Sequence, residues 1–311
     1  MKQILVIGSR GSKLALTQAR FIQSELQRLH PLLDTRIEII KTSGDTNPDP
    51  LAVIGGKGVF TKELEDALFE RRIDLAVHSL KDLPTTLPDG FTVTAICKRE
   101  DPRDALVLGR KAQDSANASI ASLLKNAVVG TSSPRRLAQL KHLRSDLVFA
   151  DVRGNVDTRL RKLDEGHYDV LVLACAGLRR LGLENRITAP IPAEQMLPSP
   201  GQGALGLETR VEDQKITDAL GPLDHKFTRL ACTAERSFLR ALGGGCQLPI
   251  AAYAAVRDKT IRLDGLVADT QGKKVLRDRI SGPIDNAEWL GSDLAERLLA
   301  NGARDLLDAS E

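Results

Sequence analysis

A lysine and an aspartate, Lys81 and Asp82, follow an apolar run of the chain, and a cysteine, Cys246, follows three consecutive glycines. A carboxylate beyond the end of a buried strand can hold or move a proton next to a reacting group. Glycines beside a thiol leave room for a bulky group bound to its sulfur. Both residues also have a structural interpretation, since such an aspartate is more often a helix cap or an ion-pair partner, and a single cysteine is usually a small buried hydrophobe. From spacing alone, the chemical roles of Asp82 and Cys246 stay open.

Several arginines lie close to predicted junctions between strands and helices. A guanidinium group pairs with a carboxylate through two parallel hydrogen bonds, so several arginines around one cleft would suit a ligand with many acidic side arms. Each one taken alone is better explained as a solvated surface charge. The arginines are Arg10, Arg135, Arg136, Arg153, Arg159 and Arg180.

Two similar units position most of these residues. In the first, an apolar strand over residues 4–7 leads through a turn over residues 8–12 into a helix. In the second, a strand over residues 127–130 leads through residues 131–136 into another helix, whose first turn suits Pro134. The N-terminus of a helix attracts anions, so a serine and an arginine in each turn predict an anion site there.

Two further apolar runs, over residues 73–77 and 168–173, predict buried strands. Strands that alternate with helices, twice over, predict an α/β protein with two domains and largely parallel sheets. In such folds ligands bind beyond the carboxyl ends of the strands.

The pattern changes from about residue 224. A long helix extends to about Leu242, and three strand-like runs and a final amphipathic helix follow it. Strands grouped before a helix predict a small α+β domain. The three runs cover residues 250–256, 261–267 and 274–280.

Composition limits the classes of function. The 311 residues predict two or three domains, and a net charge of +3 is too small for a protein that binds nucleic acid by neutralising phosphates. The four cysteines show no C-x-x-C spacing and His78 has no second ligand nearby, so we expect reduced thiols, a structural histidine and no metal. The apolar start of the chain reaches Arg10 too soon for a signal peptide, and no long uncharged apolar run occurs, so we expect a cytoplasmic protein without membrane contact.

Eight segments in a fixed order identify the chain as similar to the porphobilinogen deaminases, also called hydroxymethylbilane synthases. The resemblance covers essentially the whole chain. The segments are Gly8–Ser12, Gly55–Phe60, Ala76–Asp82, Arg99–Ala105, Thr131–Arg136, Arg153–Asn155, Gly201–Ala204, and Glu235–Arg236 with Gly243–Pro249.

The resemblance implies three domains. Residues 1–99 and 200–221 would form domain 1 with the catalytic cleft, and residues 100–199 would form domain 2, which binds carboxylates of cofactor and substrate. Both would be α/β domains like those of periplasmic solute-binding proteins. Residues 222–311 would form the small α+β domain 3, which carries the cofactor-attachment cysteine.

The resemblance also implies the activity. A transferase of this family joins four porphobilinogen molecules head to tail, with loss of ammonia, on a dipyrromethane primer, and releases hydroxymethylbilane by hydrolysis for haem biosynthesis. The primer would be bound covalently through Cys246, and Asp82 would be the catalytic carboxylate. The enzyme would be a cytoplasmic monomer that needs no metal and binds neither nucleic acid nor membranes.

The remaining site residues follow from the same motifs. Cofactor binding would fall to Ser79, Lys81, Asp82, Thr131, Ser133, Arg135 and Arg136. Substrate binding would fall to Arg10, Ser12, Lys57, Arg153, Arg159 and Arg180. Residues 42–58, rich in glycine, proline and aspartate, would form a mobile cover over the cleft.

Two alternatives remain from the residues themselves. A two-lobed anion-binding module without catalysis would share the fold, but it needs no glycine-flanked Cys246. A nucleic-acid-binding protein could use Arg135–Arg136 and Arg179–Arg180, but the low charge and the few aromatic residues count against it.

Overall fold

A computed structural model describes residues 4–42, 61–109, 118–245 and 247–308. These residues form thirteen strands and nine α-helices. The strands are β1 (Ile4–Arg10), β2 (Asp34–Ile40), β3 (Leu75–Ser79), β4 (Phe91–Ile96), β5 (Asp104–Leu108), β6 (Val128–Gly130), β7 (Val148–Ala150), β8 (Val170–Ala174), β9 (Ala189–Pro190), β10 (Leu205–Arg210), β11 (Ile250–Arg257), β12 (Thr260–Ala268) and β13 (Val275–Pro283). The helices are α1 (Lys13–Leu29), α2 (Lys62–Phe69), α3 (Pro134–Leu143), α4 (Val156–Asp164), α5 (Cys175–Arg180), α6 (Gln214–Leu220), α7 (Lys226–Ala241), α8 (Ala287–Leu298) and α9 (Arg304–Asp308).

Two five-stranded sheets have the same topology. Their strand orders are β2-β1-β3-β10-β4 and β7-β6-β8-β5-β9. In the first, β1 is parallel to β2 and β3, and β10 is antiparallel to β3 and β4. In the second, β6 is parallel to β7 and β8, and β5 is antiparallel to β8 and β9. The α/β class is therefore confirmed, and each sheet repeats one plan.

The expectation of largely parallel sheets is wrong, because half of the strand pairs in each sheet are antiparallel. The antiparallel pairs involve β5 and β10, which lie next to the points where the chain passes from one sheet to the other. No helical crossover joins these strands to their neighbours, so nothing holds them parallel.

The chain divides into two compact units, Met1–Glu100 with Ala204–Arg229 and Asp101–Gly203 with Leu230–Glu311. The first unit contains the first sheet, with an apolar layer on each face. Leu5 and Ile7 pack towards α1, where Ile22 and Leu26 are buried, and Val6 packs on the opposite face. This alternation is what a strand covered on both sides requires.

The second unit contains the second sheet and the antiparallel sheet β11-β12-β13. Phe238 of α7 and Leu290 and Leu294 of α8 are fully buried in one core with the apolar side chains of β12. The predicted small α+β arrangement after residue 224 is thus present. The division of the whole chain into three domains stays a prediction.

Several element boundaries differ from the expected ones. Gly8, Ser9 and Arg10, predicted as a turn, extend β1, because they pair in register with β2. Ile73 precedes β3, and that strand continues through His78 to Ser79. None of the helices in the described ranges is long and apolar enough to cross a membrane.

Candidate functional site

In the first unit, Arg10 and Ser12 lie at the carboxyl end of β1. Arg10 is the last residue of the strand, and Ser12 caps α1, where its Oγ accepts a hydrogen bond from the backbone N–H of Ala15 at 3.3 Å. A serine cap satisfies one of the unpaired N–H groups of the first helical turn. The turn predicted to bind an anion is therefore the end of β1 followed by the capped N-terminus of α1.

The Ser79–Asp82 segment lies at the carboxyl end of β3. Because β1 and β3 are parallel neighbours, this segment and Arg10 share one edge of the sheet. Ser79 Oγ accepts a hydrogen bond from Gln18 Nε2 of α1 at 3.0 Å. Leu80–Asp82 form a single 3₁₀ turn with Leu80 buried, Lys81 half-buried and Asp82 exposed. The turn thus anchors on an apolar residue and presents the carboxylate outwards.

In the second unit, Thr131 and Ser133 occupy the corresponding place after β6. The Thr131 Oγ1 accepts a hydrogen bond from Ser133 N at 3.3 Å, and the Ser133 Oγ accepts one from Arg136 N at 3.4 Å. Pro134 is in the first turn of α3, as predicted. Both hydroxyl groups help to shape the start of the helix.

Arg135 and Arg136 are buried and share the fully buried carboxylate of Asp104 on β5. Arg135 Nη1 donates to Asp104 Oδ2 at 2.8 Å, and Arg136 Nη2 donates to Oδ1 at 2.7 Å. Burial alone would raise the pKa of Asp104, but the charges and hydrogen bonds of the two arginines outweigh burial and hold that pKa far below its ordinary value. Two cations thus share one carboxylate at this strand end.

The two guanidinium groups also bond to the backbone. Arg135 Nη1 donates to Leu197 O at 2.7 Å, and Arg136 Nη1 donates to Val172 O at 2.9 Å. All three guanidinium nitrogens of Arg136 already donate a hydrogen bond, to Asp104 and to the carbonyl of Val172. Arg135 and Arg136 therefore also have a structural role, which the sequence did not indicate. Their binding of cofactor carboxylates stays a prediction.

Arg153 and Arg159 follow β7. Arg153 Nε donates to Asp151 Oδ2 at 2.9 Å, and its side chain is 48% exposed. Arg159, on α4, is partly buried, and its Nε donates to the carbonyl of Gly154 at 2.7 Å. Burial, and then the like charge of Arg136, lower the pKa of Arg159. Within the described ranges Arg159 forms no ion pair with a carboxylate.

Arg180 ends α5, the helix that follows β8. Its Nη2 donates to the carbonyl of Gly203 at 2.7 Å. Since β8 and β7 both lie parallel to β6, the residues that follow these three strands share one edge of the second sheet. The structure thus gathers the predicted residues into two groups, one at the carboxyl edge of each sheet.

Two predicted site residues, Lys57 and Cys246, lie outside the described residues, as do residues 43–58 of the predicted cover. His78, predicted to be structural, bonds to Glu208, with 2.8 Å between His78 Nε2 and Glu208 Oε2. Across the four described ranges, no three histidine, cysteine, aspartate or glutamate side chains converge in a way that could hold a metal ion.

Sequence reasoning did not single out Asp104 and Glu235, which organise the second unit. The fully buried Glu235 accepts hydrogen bonds from Gly201 N at 2.7 Å and Ala254 N at 2.8 Å. Both acids lie inside the motif segments, Asp104 in Arg99–Ala105 and Glu235 beside Arg236. Their distant partners could be found only in three dimensions.

Two mixed sheets of one topology, each with hydroxyl and guanidinium groups at its carboxyl edge, define an α/β protein whose polar groups lie where such sheets bind ligands. The periplasmic aliphatic sulphonate binding protein of Escherichia coli is similar at 14% identity and a TM-score of 0.38, over 78% of this chain and 71% of that one. So low a score carries no argument of its own.

Sequence comparison gives the family. The model for the porphobilinogen deaminase dipyromethane cofactor binding domain matches residues 5–218, and the model for the C-terminal domain of the same enzymes matches residues 229–300. The porphobilinogen deaminase of Synechococcus elongatus is 50% identical over 97% of this chain and 94% of its own length. The porphobilinogen deaminase of Gloeobacter violaceus is 52% identical over 99% of this chain and 94% of its own length.

The chain belongs to the porphobilinogen deaminase family, a family of transferases in tetrapyrrole biosynthesis whose cofactor-binding domain holds a dipyrromethane. The resemblance seen in the sequence is confirmed. An anion-binding module without catalysis is not favoured.

Proposed function

We propose that this protein joins four porphobilinogen molecules head to tail, with loss of one ammonia for each, and releases hydroxymethylbilane by hydrolysis. We further propose that a dipyrromethane is bound covalently through Cys246, and that the enzyme works as a cytoplasmic monomer without a metal. Family membership supports the reaction. The three-domain division given above belongs to the same proposal.

The observation that carries the proposal is Arg159, a partly buried cation that forms no ion pair among the described residues, since the nearby Asp151 is already paired with Arg153. Burial and then the positive charge of the nearby Arg136 lower the pKa of Arg159, so two cations lie near each other at this edge of the second sheet. A buried cation is stable only when something compensates its charge. A ligand with acetate and propionate side chains would supply that compensation.

These residues fit a dipyrromethane, because that group carries several carboxylates. When bound, it supplies the free pyrrole α-carbon to which the next substrate is joined. Thr131, Ser133 and Ser79 would donate hydroxyl hydrogens to its carboxylates, and Lys81 would donate ammonium N–H groups. Arg135 and Arg136 would add positive charge next to these carboxylates. Arg136 would act mainly through its charge, because its Nε, Nη1 and Nη2 already donate to Asp104 and Val172.

Asp82 would be the catalytic residue. Its carboxylate is exposed at the end of β3 and bonds to no residue in the described part of the chain. Such a carboxylate is available to accept hydrogen bonds from pyrrole N–H groups and to stabilise positive charge that develops on the rings. Arg10, Ser12, Lys57, Arg153 and Arg180 would bind the carboxylates of the incoming substrate and of the growing chain, together with Arg159.

An intact-mass measurement tests the covalent cofactor. The purified protein should exceed its sequence mass by two linked pyrroles, and Cys246→Ser should lose the excess. Cys232→Ser is the control, since that cysteine is fully buried and its replacement should leave the added mass in place. Active enzyme of unmodified mass would refute attachment through Cys246.

Turnover of Asp82→Asn tests the catalytic assignment. This variant should keep the fold and the added mass but lose nearly all turnover of porphobilinogen. Asp89→Asn, an exposed aspartate on the loop before β4, should turn over normally. Near-normal rates for Asp82→Asn would remove Asp82 from the mechanism.

A further inference from the structure

Three titratable side chains meet inside the first unit, on the face of the sheet that α2 covers. Glu208 of β10 is 0% exposed, His78 of β3 is 6% exposed, and Glu65 of α2 is 9% exposed. His78 Nε2 lies 2.8 Å from Glu208 Oε2, so one proton joins the two side chains. Burying such groups is costly unless they are paired, so this cluster calls for an explanation beyond packing.

The cluster contains one more carboxylate than the histidine can satisfy. Glu208 Oε1 and Glu65 Oε1 are both buried, and neither has a hydrogen-bond partner in the described ranges. Burial raises the pKa of Glu65, the negative charge of Glu208 raises it further, and together they outweigh the lowering effects of the Thr61 hydroxyl and of His78. Two neighbouring buried carboxylates cannot both ionise cheaply, so one of them keeps a proton.

The other charged groups nearby do not supply a second cation. Asp66, next to Glu65 on α2, adds negative charge, and Thr61 at the start of α2 is uncharged. Arg210, two residues along β10 from Glu208, gives its guanidinium to Asp74, Asp213 and the carbonyls of Leu68 and Ile73. Glu65 is therefore the carboxyl group of this cluster that is best suited to hold an extra proton.

The backbone links this cluster to the Lys81–Asp82 turn. His78 pairs with Gly206 of β10, and the next residue, Ser79, pairs with Leu205. Leu80 N then donates to Ala204 O at 3.0 Å, and the 3₁₀ turn that ends at Asp82 begins there. The His78–Glu208 bond thus ties β3 to β10 directly before the chain turns towards Asp82.

We propose that His78 and Glu208, with a protonated Glu65 beside them, are positioning residues that fix the end of β3 and so hold Asp82 in place. Loss of the proton would put two charged carboxylates next to each other inside the unit. Their repulsion would loosen the β3–β10 contact and displace the turn. The link to catalysis rests on the proposed function of Asp82, whereas the protonated carboxyl group does not.

Infrared spectroscopy tests the proton directly. The wild-type protein at pH 7 should show the carbonyl band of a buried protonated carboxylic acid, and Glu65→Gln should lack it. Glu70→Gln, at the exposed end of the same helix, should keep it. A wild-type spectrum without this band, or one unchanged in Glu65→Gln, would overturn the proposal whatever the role of Asp82.

Kinetics test the positioning role. Loss of the Glu65 proton should make the kcat of wild type fall at alkaline pH. Glu65→Gln stays neutral at every pH, so in this variant the fall should begin about one pH unit higher. Glu208→Gln loses the charge that orders His78, so kcat should fall about tenfold with KM within about twofold. The positioning role would be contradicted if both variants kept the wild-type pH profile of kcat. It would also be contradicted if KM rose while kcat stayed unchanged. If Glu208→Gln does not fold, the kcat profile of Glu65→Gln decides alone.

Discussion

Asp74 and Asp169 hold the same position in the two sheets. Asp74 precedes β3, and its Oδ2 accepts a hydrogen bond from Val6 N at 2.9 Å while its own N–H donates to Val6 O at 2.8 Å. Asp169 precedes β8, and it makes the same pair of bonds with Val128, at 2.8 Å and 2.9 Å. Each aspartate thus fastens the start of one parallel strand to its neighbour.

Removing either aspartate should destabilise its sheet, by different amounts. Asp169 is exposed, so Asp169→Ala should lower the free energy of unfolding by about 1 kcal/mol. Asp74 also accepts a bond from Arg210 Nη2 at 3.2 Å, so Asp74→Ala should cost about 2–3 kcal/mol. Denaturant unfolding of both variants measures the difference, with Asp89→Ala as the control. Equal losses would show that Arg210 adds nothing.

The repeat of strand, turn and helix could be predicted from local sequence, because apolar runs and a serine before each helix are local signals. The direction of β5 and β10 could not, since strand pairing depends on where the chain crosses between sheets. The same limit explains the arginines. Arg135 and Arg136 stand out in the sequence, but their shared partner Asp104 lies about 30 residues away and on another element.

Asp104→Asn should be strongly destabilising at neutral pH. It removes the negative charge that two buried guanidinium groups share, which costs about 3–5 kcal/mol. Asp146→Asn, which breaks a partly exposed pair with Arg144, should cost about 1 kcal/mol or less. Denaturant midpoints at pH 7 compare the two. Similar midpoints would mean that the buried network relaxes around the change.

Stability should also depend on pH through Asp104. The pKa of this carboxyl is far below its ordinary value in the folded protein, so its contribution is complete above the unfolded value of about 4 and is lost as the pH falls below it. The difference in the free energy of unfolding between wild type and Asp104→Asn should therefore stay constant from pH 8 to pH 5 and narrow below about pH 4. A difference that grew on acidification would contradict this assignment.

Gly291 should tolerate no side chain, because α8 lies against the backbone of α7 there. A Cβ at Gly291 would lie 2.3 Å from Ala234 O and 2.7 Å from Phe238 N. Gly291→Ala must push the two helices apart and should cost about 1–3 kcal/mol. At Gly282 the nearest contact is the flexible end of Leu290, at 2.9 Å, so Gly282→Ala should cost less. Thermal unfolding compares the two, and the reverse order would contradict this packing.

Arg159→Lys separates the shape of the guanidinium group from its charge. Lysine keeps the positive charge but cannot form two parallel hydrogen bonds with one carboxylate, so kcat should fall about tenfold as chain growth stalls. Protein mixed with limiting porphobilinogen should then accumulate species whose mass is raised by successive porphobilinogen units, each less one ammonia. Arg161→Lys, on the same helix and paired with the exposed Glu165, should behave as wild type. A higher KM with unchanged kcat, and no accumulated masses, would show that Arg159 only helps substrate to bind and does not support the growing chain.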